Sequence, residues 1–265
     1  MTRSEQGHVQ AVVRALELLR LMARSDDGHR VSDLARQAGL AVSTAHRLLT
    51  TLESMNFAHF DAEDSLWHVG REAFSVGSAY VQRHNFIAPA LPFLRRLRDE
   101  TRETANLGVL DADQLVTVSQ VESREIVRAI SPPGGRVPAF CSAMGKAILA
   151  TWQDEEIARF AARNGFHPLT PRSHRNLDTA MGDITRIRQC GYAIDGEEHA
   201  AGLSCVGAVV WSRTGDAICA LSVSALSARM PPERIAQVGP VVKGIADQLT
   251  AALGGRPMPF HNAEN

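Results

Sequence analysis

One loop of the 265-residue chain has the composition of an anion-binding site. Residues 142–146, SAMGK, are mostly small and lead into a predicted helix over residues 142–151. The first N–H groups of a helix lack partners within the helix, and its dipole attracts negative charge there. Ser142 and the backbone of Ala143 and Met144 are therefore candidate contacts for a small carboxylate.

Four side chains further along the chain could complete a small polar pocket. Asp195 ends a predicted strand and could accept a hydrogen bond from a hydroxyl or a hydrated aldehyde. Cys205 lies within the next strand, while Ser222 and Ser224 are two apart and face one side of a third strand. A simpler interpretation stays open for each: a turn beside Gly196 for the aspartate, and packing for the cysteine and the serines.

An enzymatic interpretation of the same residues lacks a fingerprint. Residues 142–146 lack the first glycine and the following Ser or Thr of a phosphate-binding P-loop. Ser142 and Lys146 are one residue too far apart for an SxxK nucleophile pair. A Cys205 or Ser142 nucleophile with His199 as base shows no catalytic triad pattern, so we expect no enzyme.

A metal centre is the other chemical alternative for this region. Its ligands would come from Cys141, Asp195, His199 and Cys205. Their spacing matches no recognised ligand pattern. We therefore expect neither a metal nor a cofactor.

Residues 31–52, VSDLARQAGLAVSTAHRLLTTL, predict a helix-turn-helix. Ser32 can cap a first short helix, and Gly39 stands where that helix must end and the chain must turn. A second helix is expected to begin at Ser43 or Thr44. The motif predicts a DNA-reading element, although two ordinary packed helices would show a similar pattern.

The second helix of this motif has one apolar and one polar face. The apolar residues, spaced i, i+3, i+4, i+7, are Ala45, Leu48, Leu49 and Leu52. The polar face carries short hydrogen-bonding side chains and one long arginine, which suit a helix lying in the major groove of DNA. The candidate DNA contacts are Ser43, Thr44, His46, Arg47 and Thr51, with Arg36 on the preceding helix.

The flanking segments predict a winged helix-turn-helix domain over residues 1–71. Residues 9–22 predict a first helix with an apolar side. The members of that side are Val9, Val12, Val13, Leu16 and Leu19. Two β-like runs, residues 57–60 and 66–69, are joined by a polar turn. Two strands directly after a recognition-type helix are typical of a wing.

The charge of this domain is not that of a strongly basic DNA-binding surface. Residues 1–71 contain eight arginines and nine acidic residues, a net charge of −1 with histidine neutral. Phosphate neutralisation supplies much of the affinity of nucleic-acid-binding domains. We therefore expect specific binding to need a homodimer or a dimer of dimers. A winged domain that contacts protein instead of DNA is the alternative.

The rest of the chain predicts an α+β domain. We expect a linker helix over residues 72–85, this domain over residues 86–255 and a tail over residues 256–265. Predicted strands cover residues 105–110, 115–121, 126–130, 203–211 and 217–224, with a short one ending at Asp195. Predicted helices cover residues 93–101, 142–151, 154–163, 176–190 and 231–253. This order favours an antiparallel sheet with flanking helices.

The composition of the chain predicts the cellular compartment in which the protein works. No run of about 18 apolar residues could span a bilayer, and the N-terminus lacks the apolar core of a signal peptide. The four cysteines are scattered without a CxxC pair. We expect a cytoplasmic protein with no membrane partner. Of the two lysines, Lys146 and Lys243, we interpret Lys146 as a structural or surface cation and not as a catalytic base.

The chain resembles the IclR family of bacterial transcription regulators along nearly its whole length. The matching runs are VRALELL, GLAVSTAHRLLTTLE, WHVG, ETANLGVLD, RVPAFCSAMGKAILA, GYAIDGEEHAAGLSCVGAVV and ALSVSAL, in the family's order. The resemblance implies a winged helix joined by a helix to a GAF-like effector domain, assembled as dimers or tetramers. Many members carry Pro and Lys where this chain has Ala41 and Val42, so one phosphate contact of the family is missing.

Within the family, the stretches WHVGREAFSVGSAY and DGEEHAAGLSCVGA resemble the allantoin-utilisation repressors, which sense glyoxylate. This resemblance implies that Asp195, Cys205, Ser222 and Ser224 contact the effector. The expected function is then a repressor released from operator DNA by glyoxylate or a related oxoacid. A ligand-dependent activator, or a regulator of another catabolic pathway sensing a different organic acid, is the alternative.

Overall fold

The computed structural model describes residues 8–25, 27–83, 86–129 and 132–260, with residues 80–83 as backbone only. The chain divides into two compact units, Met1–His84 and Asn85–Asn265. The finer predicted division, with boundaries after residues 71, 85 and 255, stays a prediction. Parts of the predicted segments, at residues 1–7, 26, 84–85, 130–131 and 261–265, lie outside the described residues.

The N-terminal unit is a winged helix-turn-helix, as predicted. Its elements are α1 Gln10–Met22, α2 Val31–Gln37, α3 Val42–Ser54, β1 Ala58–Asp61, β2 Leu66–Val69 and α4 Arg71–Arg83. Strands β1 and β2 pair antiparallel. His29 forms an isolated β-bridge with Trp67, on the edge of β2 that faces away from β1. The buried indole of Trp67 packs on Phe60 and holds the wing against the helices.

Glycine at position 39 makes the turn between α2 and α3 possible. Gly39 has a φ of +64°, a conformation that side chains with a Cβ rarely adopt. Its N–H donates to the carbonyl of Arg36, and the next N–H, of Leu40, donates to Ala35. This pattern satisfies carbonyls at the end of α2.

The predicted starts of both motif helices were wrong by one to two residues. Helix α2 begins at Val31 after Arg30, and α3 begins at Val42 after Ala41, neither with a side-chain cap. Ser32 therefore lies inside the first turn and caps nothing. The extended backbone of the residue before each helix sets the start without help from a hydroxyl, which the sequence pattern alone does not reveal.

Helix α1 packs through a different face from the one predicted. Its buried residues are Leu18, Leu21 and Met22. The predicted face is exposed along most of its length, and we call its exposed members, Val9, Val12, Val13 and Leu16, the α1 stripe. Periodicity identifies an apolar face, but it cannot say which of two such faces meets the core.

The C-terminal unit is an antiparallel sheet with helices on both sides. Its strands are β3 Thr104–Asp111, β4 Gln114–Val121, β5 Arg136–Pro138, β6 Ala193–Gly196, β7 Leu203–Trp211 and β8 Ala217–Leu226. Its α-helices are α5 Ile87–Thr101, α6 Ala143–Leu149, α7 Asp154–Asn164, α8 Leu177–Cys190 and α9 Pro232–Ala252. The strand order is β5-β4-β3-β8-β7-β6. The predicted α+β class is confirmed.

Alternation along the strands gives the sheet an apolar face and a polar face. On β8, Leu221 and Val223 belong to the core formed with α5 and α9. Ser222 and Ser224 point to the opposite face, because successive side chains of a strand alternate. Helix α6 packs against β7 and β8, so the polar side chains are enclosed beneath it.

The predicted strand over residues 126–130 was wrong in its described part. Ile126 is 95% exposed, and residues 126–129 pair with no strand of the described chain. Side chains bond its carbonyls instead: Thr104 donates to Ala129 O at 2.8 Å and Arg229 donates to Val127 O at 2.9 Å. The short edge strand β5 was not predicted, because a run of three residues is too short to show alternation.

Candidate functional site

Helix α3 presents the predicted DNA-reading side chains on its solvent side. Ser43, His46, Arg47 and Thr51 are exposed, and Thr44 is half-buried. Ala45 and Leu49, on the opposite side, are fully buried in the domain core. The core therefore fixes which side of α3 is free to meet a groove.

Hydrogen bonds within α3 decide which of these groups can donate. Thr51 Oγ1 donates to the carbonyl of Arg47 at 2.8 Å, and Thr50 Oγ1 bonds the carbonyls of His46 and Arg47. Both threonines therefore face solvent with oxygen lone pairs. Within the described residues, the guanidinium of Arg47 has no ion-pair partner, so it is the long donor of this face.

Arg36 and His46 hold positions beside this helix. Arg36 pairs with Asp33 at 2.9 Å on an exposed surface, a contact that a phosphate could replace at small cost. The His46 ring meets Trp67 edge-on, with centroids 6.3 Å apart, so the wing orients it. The six predicted DNA contacts therefore lie on adjoining helices of one domain, and their roles stay predictions.

The seven predicted effector residues converge on one cavity of about 30 Å³. We call it the effector cavity. Ser142, Ala143, Met144, Asp195, Cys205, Ser222 and Ser224 all line it. The other lining residues are Asn106, Leu115, Thr117, Val137, Cys141 and His199.

A close approach between α6 and β7 forms the roof of the cavity. A Cβ at Gly207 would lie 3.0 Å from the backbone of Ala143 and Met144, so glycine lets the helix start rest on the strand. Ser142 caps α6 by accepting from the N–H of Gly145 at 3.3 Å. The amides of Ala143 and Met144 therefore begin the helix directly above the polar strand face.

Asp195 is the ionisable wall of the effector cavity. It is 1% exposed, and its Oδ1 accepts from the N–H groups of Glu198 at 2.7 Å and His199 at 3.2 Å. Burial, followed by the nearby charge of Glu198, raises the pKa of Asp195 to about 7. Its protonation can therefore change near neutral pH, and with it the charge of the cavity.

Replacing Asp195 by Asn is expected to stabilise the protein by about 2 kcal/mol at pH 8. Because folding raises this pKa, the stability that the Asp195 carboxyl group contributes is fully present below about pH 4. It is lost as the pH rises through about 7. Asn keeps an oxygen for both backbone donors and cannot ionise. Urea unfolding of the two proteins from pH 5 to 8 measures the difference, which should grow with pH. A difference that does not change with pH would contradict a raised pKa.

The thiols of the cavity are unreactive. Burial raises the pKa of Cys205 well above its ordinary value, and its Sγ contacts Ser224 Oγ at 3.2 Å. Burial also raises the pKa of Cys141. A thiol that stays protonated is a poor nucleophile. The cysteines therefore act as neutral walls of the cavity.

Lys146 lies in a buried ion cluster next to the cavity and not on the surface. The side chain is 1% exposed, and its Nζ lies 2.5 Å from Asp183, 2.6 Å from Glu198 and 2.6 Å from the carbonyl of Ile194. The surface part of our interpretation of this lysine was wrong; the structural part fits. Sequence shows a cation but not its depth, and its partners are 37 and 52 residues away.

Two carboxylates and a histidine of this cluster also resemble a metal site by distance. His174, Asp183 and Glu198 have ligand atoms within 4.8 Å of one another. The ammonium of Lys146 already bonds both carboxylates. Burial favours a higher pKa for Asp183, but hydrogen bonds from His174, Lys146 and Arg186 outweigh it and hold that pKa well below its usual range. The cluster is therefore internally charge-compensated.

Sequence reasoning missed Asn106 and Thr117, which also line the cavity. A signal was present for Asn106: it is a polar residue in the apolar run Thr104–Asp111, on a strand buried over most of its length. Polar groups buried in a sheet need partners. His199, considered as a catalytic base or a metal ligand, also reaches the cavity wall.

Comparison with known proteins gives the family. Residues 11–62 match the IclR helix-turn-helix domain, and residues 78–251 match the bacterial transcriptional regulator IclR C-terminal domain. The chain belongs to the IclR family of bacterial transcriptional regulators. It is a DNA-binding transcriptional repressor of this family and is not an enzyme. The family prediction is confirmed.

Curated relatives match over nearly the whole chain. The acetate operon repressor of Salmonella typhimurium is 37% identical over 94% of this chain and 92% of its own. The HTH-type transcriptional repressor AllR of Klebsiella pneumoniae is 33% identical over 96% and 93%. The predicted AllR-like relative is thus present, but it stands beside the acetate operon repressor and does not single out an effector.

Solved structures share the fold. The IclR of Thermotoga maritima covers 93% of this chain with all of its own, at a TM-score of 0.76 and 26% identity. An IclR homolog of Microbacterium hydrocarbonoxydans, complexed with 4-hydroxybenzoate, covers 92% of this chain and 99% of its own, at 0.76 and 19%. In the described residues of this family member, no helix combines the length and apolarity needed to cross a membrane.

Proposed function

We propose that this repressor releases its operator when a small carboxylate, glyoxylate or a related oxoacid, occupies the effector cavity. The observation that carries the proposal is the convergence of the seven predicted residues on one cavity of about 30 Å³. Its walls offer backbone amides, serine hydroxyls and a buried carboxyl group. A small acid with a carbonyl or hydroxyl group needs such a mixture of donors and acceptors.

The small volume argues for the smallest oxoacids. Leu115, Val137 and Met144 close the cavity with apolar side chains. An aromatic acid would need several of these side chains to move. A different organic acid is the alternative to glyoxylate or a related oxoacid. The size of the acid that binds decides between them.

Calorimetric titration of the full chain with glyoxylate, pyruvate and 4-hydroxybenzoate tests this proposal. We expect binding of the first two and none of the third. Ser222→Ala should weaken glyoxylate binding by about tenfold, since a hydrogen bond to a charged group is lost. Ser227→Ala is the matched control, because that serine bonds Ser204 outside the cavity wall. Binding of 4-hydroxybenzoate alone would contradict the proposed ligand class.

The operator contacts follow from the exposed face of α3. Ser43, Thr44, His46, Arg47 and Thr51 are proposed to meet the major groove, and Arg36 a phosphate. Arg47 supports base reading because a guanidinium can donate twice to guanine.

Such a regulator works in the cytoplasm, where the bacterial operator is. Linker helix α4 is proposed to transmit effector binding to the DNA-binding domains.

A homodimer or a dimer of dimers is the proposed assembly. The α1 stripe leaves four apolar side chains exposed on one helix of the DNA-binding unit. With eight arginines and nine acids in residues 1–71, one copy has little net attraction to DNA. Pairing through the stripe would cover apolar surface and present two α3 helices to one operator.

Replacing Leu16 by Asp is expected to weaken this pairing and to lower operator affinity by about tenfold, because two linked sites bind more tightly than one. Leu16 is 55% exposed, so the domain core does not depend on it. Sedimentation velocity and fluorescence anisotropy measure the two effects. Leu169→Asp, at a 51% exposed leucine of the other unit, is the control. An unchanged oligomer would remove the α1 stripe from the interface.

A further inference from the structure

A row of polar side chains crosses the cavity face of the sheet. Gln120 on β4 lies opposite Asn106 on β3, and Asn106 lies opposite Ser222 on β8. The row continues from Ser224 on β8 to Cys205 on β7 and then to Asp195 on β6. Five neighbouring strands thus contribute to one row, in which Asn106 lies between β4 and β8 and is 1% exposed.

The hydrogen bonds of this row have a direction. Gln120 Nε2 donates to Asn106 Oδ1 at 3.0 Å, which turns the amide nitrogen of Asn106 towards β8. Asn106 Nδ2 then donates to Ser224 Oγ at 3.0 Å and to Ser222 Oγ at 3.4 Å. The two hydroxyl oxygens therefore act as acceptors on the side of β3.

A hydroxyl that accepts from an amide keeps its own proton for another partner. Within the described residues, Ser222 Oγ has no hydrogen-bond partner besides Asn106. Ser224 Oγ has only the Sγ of Cys205 in addition, and sulfur is a weak acceptor. Both serines line the effector cavity, so both protons are available to an acceptor placed there.

We propose that Asn106 is a positioning residue that sets Ser222 and Ser224 as hydrogen-bond donors, and that it thereby selects carboxylate ligands over their amide analogues. A carboxylate offers acceptors only, which matches two donating hydroxyls. An amide replaces one acceptor oxygen by an N–H group, which leaves one of the two hydroxyl donors without an acceptor. The inference rests on the proposed effector site, and it explains which hydrogen bonds would make that site prefer carboxylates.

The test compares glyoxylate with glyoxylamide in calorimetric titrations of the full chain. For the wild type we expect the carboxylate to bind more tightly. In Asn106→Ala the serine hydroxyls can rotate and accept from an amide, so the ratio of the two affinities should fall by about tenfold. A merely structural role of Asn106 would weaken both ligands equally and leave the ratio unchanged, which would overturn the proposal.

Thr104→Ala is the matched control. Thr104 is a buried polar residue on the same strand, but its hydroxyl bonds the carbonyl of Ala129 and does not line the cavity. We expect it to lower stability and leave the ratio unchanged. If Asn106→Ala fails to fold, Asn106→Asp preserves the shape, reverses the serine protons and should invert the preference. A wild-type protein that binds neither probe overturns the effector class itself, before any variant is compared.

Discussion

Replacing Arg47 by Ala is expected to lower operator affinity by about tenfold or more for each recognition helix, with folding and effector binding unchanged. The guanidinium is the long donor on the exposed face of α3, while the neighbouring threonines have already donated their protons to helix carbonyls. Its loss removes two parallel donors that the shorter side chains of this face cannot supply. Fluorescence anisotropy at fixed salt measures the operator affinity.

Two further variants show whether Arg47 reads bases. Arg159→Ala removes an exposed arginine from α7, in the other unit, and should leave operator affinity unchanged. Arg47→Lys keeps the charge but loses the planar double donor, so it should bind non-specific DNA normally and the operator weakly. Equal operator affinity for Arg47→Ala and the wild type would remove α3 from the recognition role.

Replacing Lys146 by Met is expected to destabilise the C-terminal unit by about 3–5 kcal/mol at pH 7. The ammonium is buried between Asp183 and Glu198 and also bonds the carbonyl of Ile194. Without it, Asp183 keeps its pair with Arg186, but Glu198 loses the ammonium that bonds both of its oxygens in a buried site. Urea unfolding followed by circular dichroism measures the loss.

The second lysine of the chain is the matched control. Lys243 forms a partly exposed pair with Asp247 one helical turn away, so Lys243→Met should cost less than about 1 kcal/mol. Acid should partly rescue Lys146→Met, because the pKa of Asp183 rises when the ammonium that lowers it is removed. A small loss, the same at pH 5 and pH 7, would show that the buried cluster does not depend on its cation.

The local sequence pattern was sufficient to predict the structure where one face of a helix or strand is buried. The spacing of Ala45, Leu48 and Leu49 predicted α3 and its solvent side, and the alternation along β8 placed Ser222 and Ser224 together. Periodicity has physical content in these elements because burial acts on every third or fourth residue of a helix and on every second residue of a strand.

Pattern failed where the deciding partner is distant in sequence. Lys146 is buried because Asp183 and Glu198 come from α8 and a loop, and no local window contains all three. Asn106 gains its role from Gln120 on one neighbouring strand and Ser224 on the other. Leu16 lies on an apolar stripe that no described residue of the same chain covers. Each failure concerns contacts beyond the local sequence, not local structure.

The coupling between effector cavity and operator is the central claim, and a reciprocal binding cycle tests it most directly. The affinity of the full chain for DNA flanking its own gene is measured at fixed salt with and without millimolar glyoxylate, and glyoxylate affinity with and without that DNA. We predict that glyoxylate weakens DNA binding by about fivefold or more and that DNA weakens glyoxylate binding by the same factor. Glyoxylate that binds the cavity and leaves DNA affinity unchanged would contradict the account.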